Sequence, residues 1–433
     1  MSSSPACKIS IVTEKLPNNS THFTILGAQN QPNAMAAEQG LTAEAWISSA
    51  KDAIGAYLHV PFCFHKCHYC DFFSVAGKED QHTYFVDRLV KELATVGPHL
   101  SQLQTIFIGG GTPTLLEPNL LRTMLEAVQR YLPVGNEIEF TIEANPETVT
   151  AEKADIMASC GVNRVSIGAQ SFDPALLKVL ERWHDPVNVG RAVSFVKDAG
   201  ISNVSIDLIY AIPSQSISLL QSDLQNVIAL DPMHVSCYAL TYEPNTPMLQ
   251  RLKTGEVMRV DHELEADMFD LVTTELTSHS YAQYEISNYA KDGFTCKHNL
   301  MYWKNKNWWP FGPAGAGHVA GRRWRNNPRL SDYLLDTSLP PVQDVELLSE
   351  DIQAGEAFMM GLRLLEGMER IWVESLLQMS PNNWRNPVLH RNIDNGMLEW
   401  KKDMLLLTDK GLHFADTVIS ELLIHDENEP RTP

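Results

Sequence analysis

Cysteine is scarce in this sequence. Seven occur in 433 residues, an odd and sparse set that excludes a disulfide framework and suits a reducing, cytoplasmic compartment. Basic residues are few as well, 34 Lys and Arg against 53 Asp and Glu, for a net charge of -19. That balance argues against a broad surface tracking phosphates, so nucleic acid is not an expected partner. Long apolar runs are missing: stretches such as residues 227–230 fall far short of the roughly 20 residues a spanning helix needs, and no stable membrane insertion is expected. The opening MSSSPACKIS has no charged segment followed by an apolar one, so no secretory signal is read there.

What the chain does contain is order of a particular kind. Its length exceeds one average domain unless a large barrel absorbs most of it. Residues 1–53, rich in Asn, Gln, Thr and Pro toward the middle, read as a flexible arm. From 54 to 245, short β-rich runs at 56–60, 105–109, 137–143, 164–168, 203–209 and 234–240 alternate with segments of helical spacing. Phe85, Leu89, Leu93 and Val96 form one helical stripe and Leu121, Leu125 and Val128 another. Six strands separated by helices predict parallel pairing through right-handed crossovers, in either an open sheet or an incomplete barrel.

The unusual residues fall at the carboxyl ends of these strands, where parallel barrels build their active sites. A cysteine loop follows the first strand, Gly109-Gly110-Gly111-Thr112-Pro113 ends the second, Glu143 closes the third, Gln170 follows the fourth and Asp207 lies near the end of the fifth. Any one of them could simply tighten a turn or cap a helix. Their gathering at one rim, beside clustered thiols, favours chemistry. The thiols are Cys63, Cys67 and Cys70, spaced C-x3-C-x2-C. Structural zinc usually recruits four ligands in two pairs, and no second C-x2-C exists, although His65 and His68 stand nearby. A cubane iron-sulfur cluster on three thiolates instead leaves one iron open to a further ligand.

At these residues the sequence resembles the radical S-adenosylmethionine (SAM) superfamily, with Tyr69 as the aromatic residue before the third cysteine. The resemblance is closer to the oxygen-independent coproporphyrinogen III oxidase group and, within it, to the HemW-type haem chaperones. It runs from about Gly55 to Leu422 and rests on YLHVPFC from Tyr57, CDF from Cys70, GGGTPTL from Gly109, EANP from Glu143, RVSIGAQSF from Arg164, DLI from Asp207 and YEISN from Tyr284. It implies an α/β fold built on an incomplete (β/α)6 radical SAM barrel, a 4Fe-4S cluster on Cys63, Cys67 and Cys70, and SAM as cofactor. By position, Tyr57, Gly111, Thr112 and Glu143 would contact the cluster-bound SAM. Tyr69, Gln170, Arg182 and Asp207 would line the neighbouring site, where the oxidases hold a second SAM.

Beyond residue 245 the alternation stops. Residues 246–345 read as a family-specific extension in which the Trp- and Gly-rich stretch from Trp303 to Trp324 is an irregular lid or binding segment, or core. Residues 346–433 read as a mainly helical, winged-helix-like region. Two functions fit the resemblance: radical decarboxylation of coproporphyrinogen III, and haem binding and delivery on the same scaffold. The oxidases carry a fourth cysteine two residues after the third, where this chain has Phe72. The chaperones carry H-N-x-x-Y-W, which stands here at His298-Asn299-Leu300-Met301-Tyr302-Trp303. The expectation is therefore a haem chaperone. Haem is its cargo, an acceptor protein and an electron donor are its partners, and a homodimer is compatible with the resemblance. His298 is either an iron ligand with Tyr302, Trp303, Trp308 and Trp309 around the porphyrin, or a structural residue within a turn.

Overall fold

The computed structural model describes residues 10–11, 25–26, 43–135 and 137–423. Most of the arm expected over 1–53 lies outside them. Its last part does not behave as an arm. Residues Ala43–Ser48 are helical, Ala50 and Ala53 are fully buried, and Trp46 packs edge-on against Trp324 at 4.7 Å. Residues 46–53 are thus packed against the sheet rather than part of an arm.

Six parallel strands form the centre: β1 (Gly55–Val60), β2 (Thr105–Gly110), β3 (Glu139–Ala144), β4 (Arg164–Gln170), β5 (Asn203–Tyr210) and β6 (His234–Ala239), hydrogen-bonded in sequence order. They read as near-continuous buried runs because both faces are covered, the usual state of a parallel sheet. The connecting helices bury the stripes the spacing predicts. His82–Val96 turns Phe85, Leu89, Leu93 and Val96 inward, and Pro118–Tyr131 does so with Leu121, Leu125 and Val128. Proline at the start of the latter helix supplies a fixed φ where no N–H is needed.

The extension is not a separate layer. Strands β7 (Ala282–Glu285) and β8 (Asn288–Ala290) add antiparallel to β6 at one edge. At the other edge β9 (Trp308–Phe311) pairs parallel with β1, followed antiparallel by β10 (Ala316–Val319), β11 (Arg322–Asn326) and β12 (Val342–Leu347). The result is a 12-stranded sheet in the order β12-β11-β10-β9-β1-β2-β3-β4-β5-β6-β8-β7. The stretch from Trp303 to Trp324 is therefore largely sheet rather than an irregular lid. Trp309 and Trp324 are buried in the main core, and Gly317 is there because a Cβ would stand 2.5 Å from the Trp324 ring.

A second core belongs to the C-terminal region, where Phe358, Val373, Leu389, Leu405 and Ile419 pack together. This region is mainly helical, with a small sheet of β13 (Met368–Glu369), β14 (Leu398–Lys401) and β15 (Met404–Leu407), β15 in the middle. Arg323 of β11 ties it to the large sheet, bonding Glu346 of β12 at 2.6 Å and also Glu356 of the helix Glu350–Gly361. No helix among the described residues is long and apolar enough to cross a membrane.

Candidate functional site

The cysteine loop leaves β1 at Pro61 and is held at several points. Cys63 N–H donates to Val75 O at 3.1 Å, Val75 N–H to Pro61 O at 2.7 Å, and His68 N–H to Leu180 O at 3.2 Å. Phe62 anchors its base, fully buried against His82 and Phe85. From below, the glycine turn after β2 is stitched to it: Gly111 N–H donates to Val60 O at 2.8 Å and Thr112 N–H to Phe62 O at 2.6 Å. A Cβ on Gly111 would stand 2.5 Å from Phe62 O and 2.7 Å from Val60 O. The missing side chain at Gly111 thus makes room for the protein's own cysteine loop, not only for the SAM that the sequence reading places there.

Cys63, Cys67 and Cys70 line one cavity of about 840 Å³ together with Tyr69, Gly111, Thr112, Glu143, Gln170, Arg182 and Asp207. That volume suits a cofactor-sized ligand. The chain thus gathers at one rim almost every residue expected at the site. Burial raises the Cys63 thiol and pushes that of Cys70 up to about 12. Donors surround them: Thr112 Oγ1 stands 3.8 Å from Cys63 Sγ and Arg182 Nη1 3.7 Å from Cys67 Sγ, while Arg182 Nη2 donates to Gly168 O at 2.9 Å. Such groups suit an anionic iron-sulfur cluster, whose potential responds to hydrogen bonds and nearby charge. Among the described residues no three of His, Cys, Asp and Glu converge on a single metal ion. A cubane makes no such demand, because each thiolate takes its own iron.

Glu143 sits on β3 below the glycine turn, where its Oε2 accepts Gly110 N–H at 3.0 Å. Burial raises its pKa to about 7, the Gly110 bond opposes that shift, nearby Asp207 adds to it, and Arg164 pulls it down. Asp207 is also raised by burial, and its carboxylate accepts Ser166 Oγ at 3.1 Å. Gln170 holds a left-handed backbone, φ 64°, where the β4–β5 register shifts and turns its side chain to the rim. An acid raised in the folded chain binds its proton more tightly there than when unfolded. Its contribution to stability is full below about 4.5, its ordinary value, and is lost as pH rises through about 7. Glu143→Gln removes that loss, so thermal melts of the ligand-free protein should show the variant gaining on wild type between pH 5 and pH 8. A constant difference across that range would mean Glu143 ionises normally.

Two expected site residues lie elsewhere. Tyr57 does not line the cavity; its hydroxyl meets His59 Nδ1 at 3.1 Å, and His59 Nε2 meets Phe73 O at 2.8 Å. Tyr57 thus braces the cysteine loop through His59. His298 is buried, 1% exposed, with Nδ1 on Thr105 Oγ1 at 2.8 Å, Nε2 on Tyr302 OH at 2.9 Å and its ring stacked on Phe107 at 5.0 Å. Thr105 opens β2, so His298 sits at the amino-terminal end of the strands, away from the cysteines. Both ring nitrogens are spoken for, and the surrounding aromatics are packed: Trp309 in the core, Tyr302 against Trp308 at 4.7 Å, Trp303 under Arg363 at 5.6 Å. This geometry supports the structural alternative, not the iron ligand. His298→Ala should therefore cost about 2–4 kcal/mol of stability, from the cavity and two lost bonds, while haem absorption stays unchanged. An altered haem spectrum at undiminished stability would restore the ligand assignment.

Other cavity residues have no site role assigned from the sequence, although Arg164, Phe72 and Asn299 stand within its motifs. Arg164, which opens β4, lines the cavity, as does Asn299, the neighbour of His298. At the mouth, Phe64, Phe72 and Trp183 are 67%, 62% and 62% exposed, and His65 stacks on Trp183 with ring centroids 4.4 Å apart. Periodicity could not flag Phe64 or Trp183, since neither belongs to a strand or helix.

A parallel α/β sheet with a cysteine-lined cavity at its carboxyl rim defines a class. Residues 57–227 match the model of the radical SAM superfamily. Within it, the chain is 33% identical to the heme chaperone HemW of Lactococcus lactis and 36% identical to that of Escherichia coli, alignments covering 86% of this chain and 98% of each relative. HemW of Bacillus subtilis is 32% identical over 85% of this chain and 98% of its own. The chain belongs to the HemW heme chaperone family. Its fold is that of the coproporphyrinogen III oxidase HemN from Escherichia coli, a radical SAM enzyme, with a TM-score of 0.75 and 16% identity over 88% of this chain and 94% of that one.

Proposed function

We propose that this protein is a haem chaperone that carries a 4Fe-4S cluster and SAM, binds haem and delivers it to an acceptor protein. The observation that carries the reading is the thiol count of the cavity in a chain of the HemW family. Cys63, Cys67 and Cys70 line it, exposed Phe72 stands where the oxidases have a fourth cysteine, and buried Cys160, Cys237 and Cys296 are not among its lining residues.

On this reading Cys63, Cys67 and Cys70 would hold the cluster, which would supply one-electron chemistry toward SAM. The residues of the chain do the rest. Arg182 and Thr112 place donors beside the sulfurs, and the stitched Gly111 and Thr112 amides hold the loop at a fixed height over the strands. Glu143 offers a carboxyl poised near neutrality, able to accept from ligand hydroxyls or amines as its ionisation changes. Tyr69, Gln170 and Asp207 complete the lining. The electron donor and the haem acceptor are partners this reading calls for, and a homodimer is compatible with it. Parallel assays of haem uptake and coproporphyrinogen III loss on anaerobically reconstituted protein separate it from decarboxylation.

A further inference from the structure

The floor of the cavity holds a cation without a partner. Arg164 is 2% exposed and lines the cavity, yet its guanidinium makes no hydrogen bond or ion pair among the described residues, and its Nε is buried with no acceptor. A guanidinium is all donors and keeps its charge, so burying it unmet is costly. The nearby acids do not meet the need. Glu139 spends its oxygens on Lys297 N–H at 2.9 Å, His298 N–H at 3.0 Å and the Cys296 thiol at 3.6 Å. Asp207 accepts from the Ser166 and Ser205 hydroxyls. Both contribute a field at Arg164, but neither supplies an acceptor in bonding range. The cavity that Arg164 lines also presents the polar groups of Ser166, Ser236, Tyr238 and Asn299.

We infer that Arg164 is the anchor of a carboxylate subsite at the cavity floor, taking an acid group of a ligand that enters from the cysteine rim. A carboxylate is the acceptor that a planar guanidinium meets with two parallel bonds. The placement gives new meaning to H-N-x-x-Y-W. His298 builds the floor by stacking on Phe107 and bonding Thr105, and the adjacent Asn299 lines the cavity. Haem, through a propionate, and SAM, through its methionine end, both carry such a group. The haem source rests on the chaperone reading above; the unmet guanidinium does not.

The test uses full-length protein, wild type, Arg164→Met and Arg164→Lys, titrated with haem, with haem dimethyl ester and with SAM on reconstituted protein, alongside thermal melts without ligand. A carboxylate anchor predicts that Arg164→Met weakens either haem or SAM by at least about tenfold, with Arg164→Lys in between. The ligand affected names the source, and for haem the ester should bind wild type as weakly as haem binds Arg164→Met. Because the cation has no protein partner, the Arg164→Met melt should be unchanged or higher. Haem and SAM both binding Arg164→Met as they bind wild type would overturn the subsite, as would a large drop in melting temperature with affinities intact, the mark of a structural cation. If wild type took up no haem, the chaperone reading would fail and the SAM titration alone would decide the subsite.

Discussion

Cys67→Ala is expected to reduce cluster content after anaerobic reconstitution to background, and Cys63→Ala and Cys70→Ala should do the same. Each thiolate takes one iron, and losing one leaves two irons of the cubane without protein ligands. Among the described residues no spare thiol stands ready, since Cys160, Cys237 and Cys296 are buried and outside the cavity lining. Cys67 is the most deeply set of the three, with its sulfur also facing Arg182 at 3.7 Å. The fold should survive, as the loop is held by main-chain bonds to Val75 and Leu180 rather than by sulfur. Iron and sulfide analysis with the visible absorption of the cluster checks this. Cys160→Ala is the control, and a cluster lost there but kept in Cys67→Ala would remove the assignment.

Gly111→Val is the second variant with a large expected effect, and the structure changes what it should do. From sequence alone the valine would fill space meant for SAM and leave the cluster untouched. The neighbours of the missing side chain are instead the Val60 and Phe62 carbonyls and Phe62 N at 2.9 Å, all backbone at the root of the cysteine loop. Backbone cannot swing aside as a side chain can, so the turn and the loop must separate. The amide bonds from Gly111 to Val60 and from Thr112 to Phe62 would go with them. A loss of about 3 kcal/mol or more is expected from overpacking and broken bonds, together with failed cluster assembly. Thermal melts and iron content read both. A variant with normal cluster and stability but no SAM binding would return Gly111 to the direct role.

The parts of the fold legible in the sequence are those that repeat. The six central strands and their helices show as apolar runs and stripes because each is buried on a predictable face, and their order alone predicts parallel pairing. The rim residues are legible because chemistry in such sheets collects at strand ends. Long-range partners leave no mark. Arg322-Arg323-Trp324-Arg325-Asn326 hides its alternation behind three arginines, and Arg323 is explained by Glu346 and Glu356, which lie on later elements. His298 resembles a ligand until Thr105, 193 residues earlier, and Tyr302 are seen to take both ring nitrogens. Arg164 shows in the sequence only as the first residue of the RVSIGAQSF motif, and its meaning lies in what does not bond to it.

The central claim is that this scaffold carries haem rather than decarboxylating a porphyrinogen. The most direct measurement gives anaerobically reconstituted protein haem in one vessel and coproporphyrinogen III with SAM and a reductant in the other. The first is followed by transfer to an apo haem acceptor and the second by loss of substrate. The account predicts haem uptake and transfer, with coproporphyrinogen III unconsumed. Turnover of coproporphyrinogen III to protoporphyrinogen IX without haem uptake would contradict it.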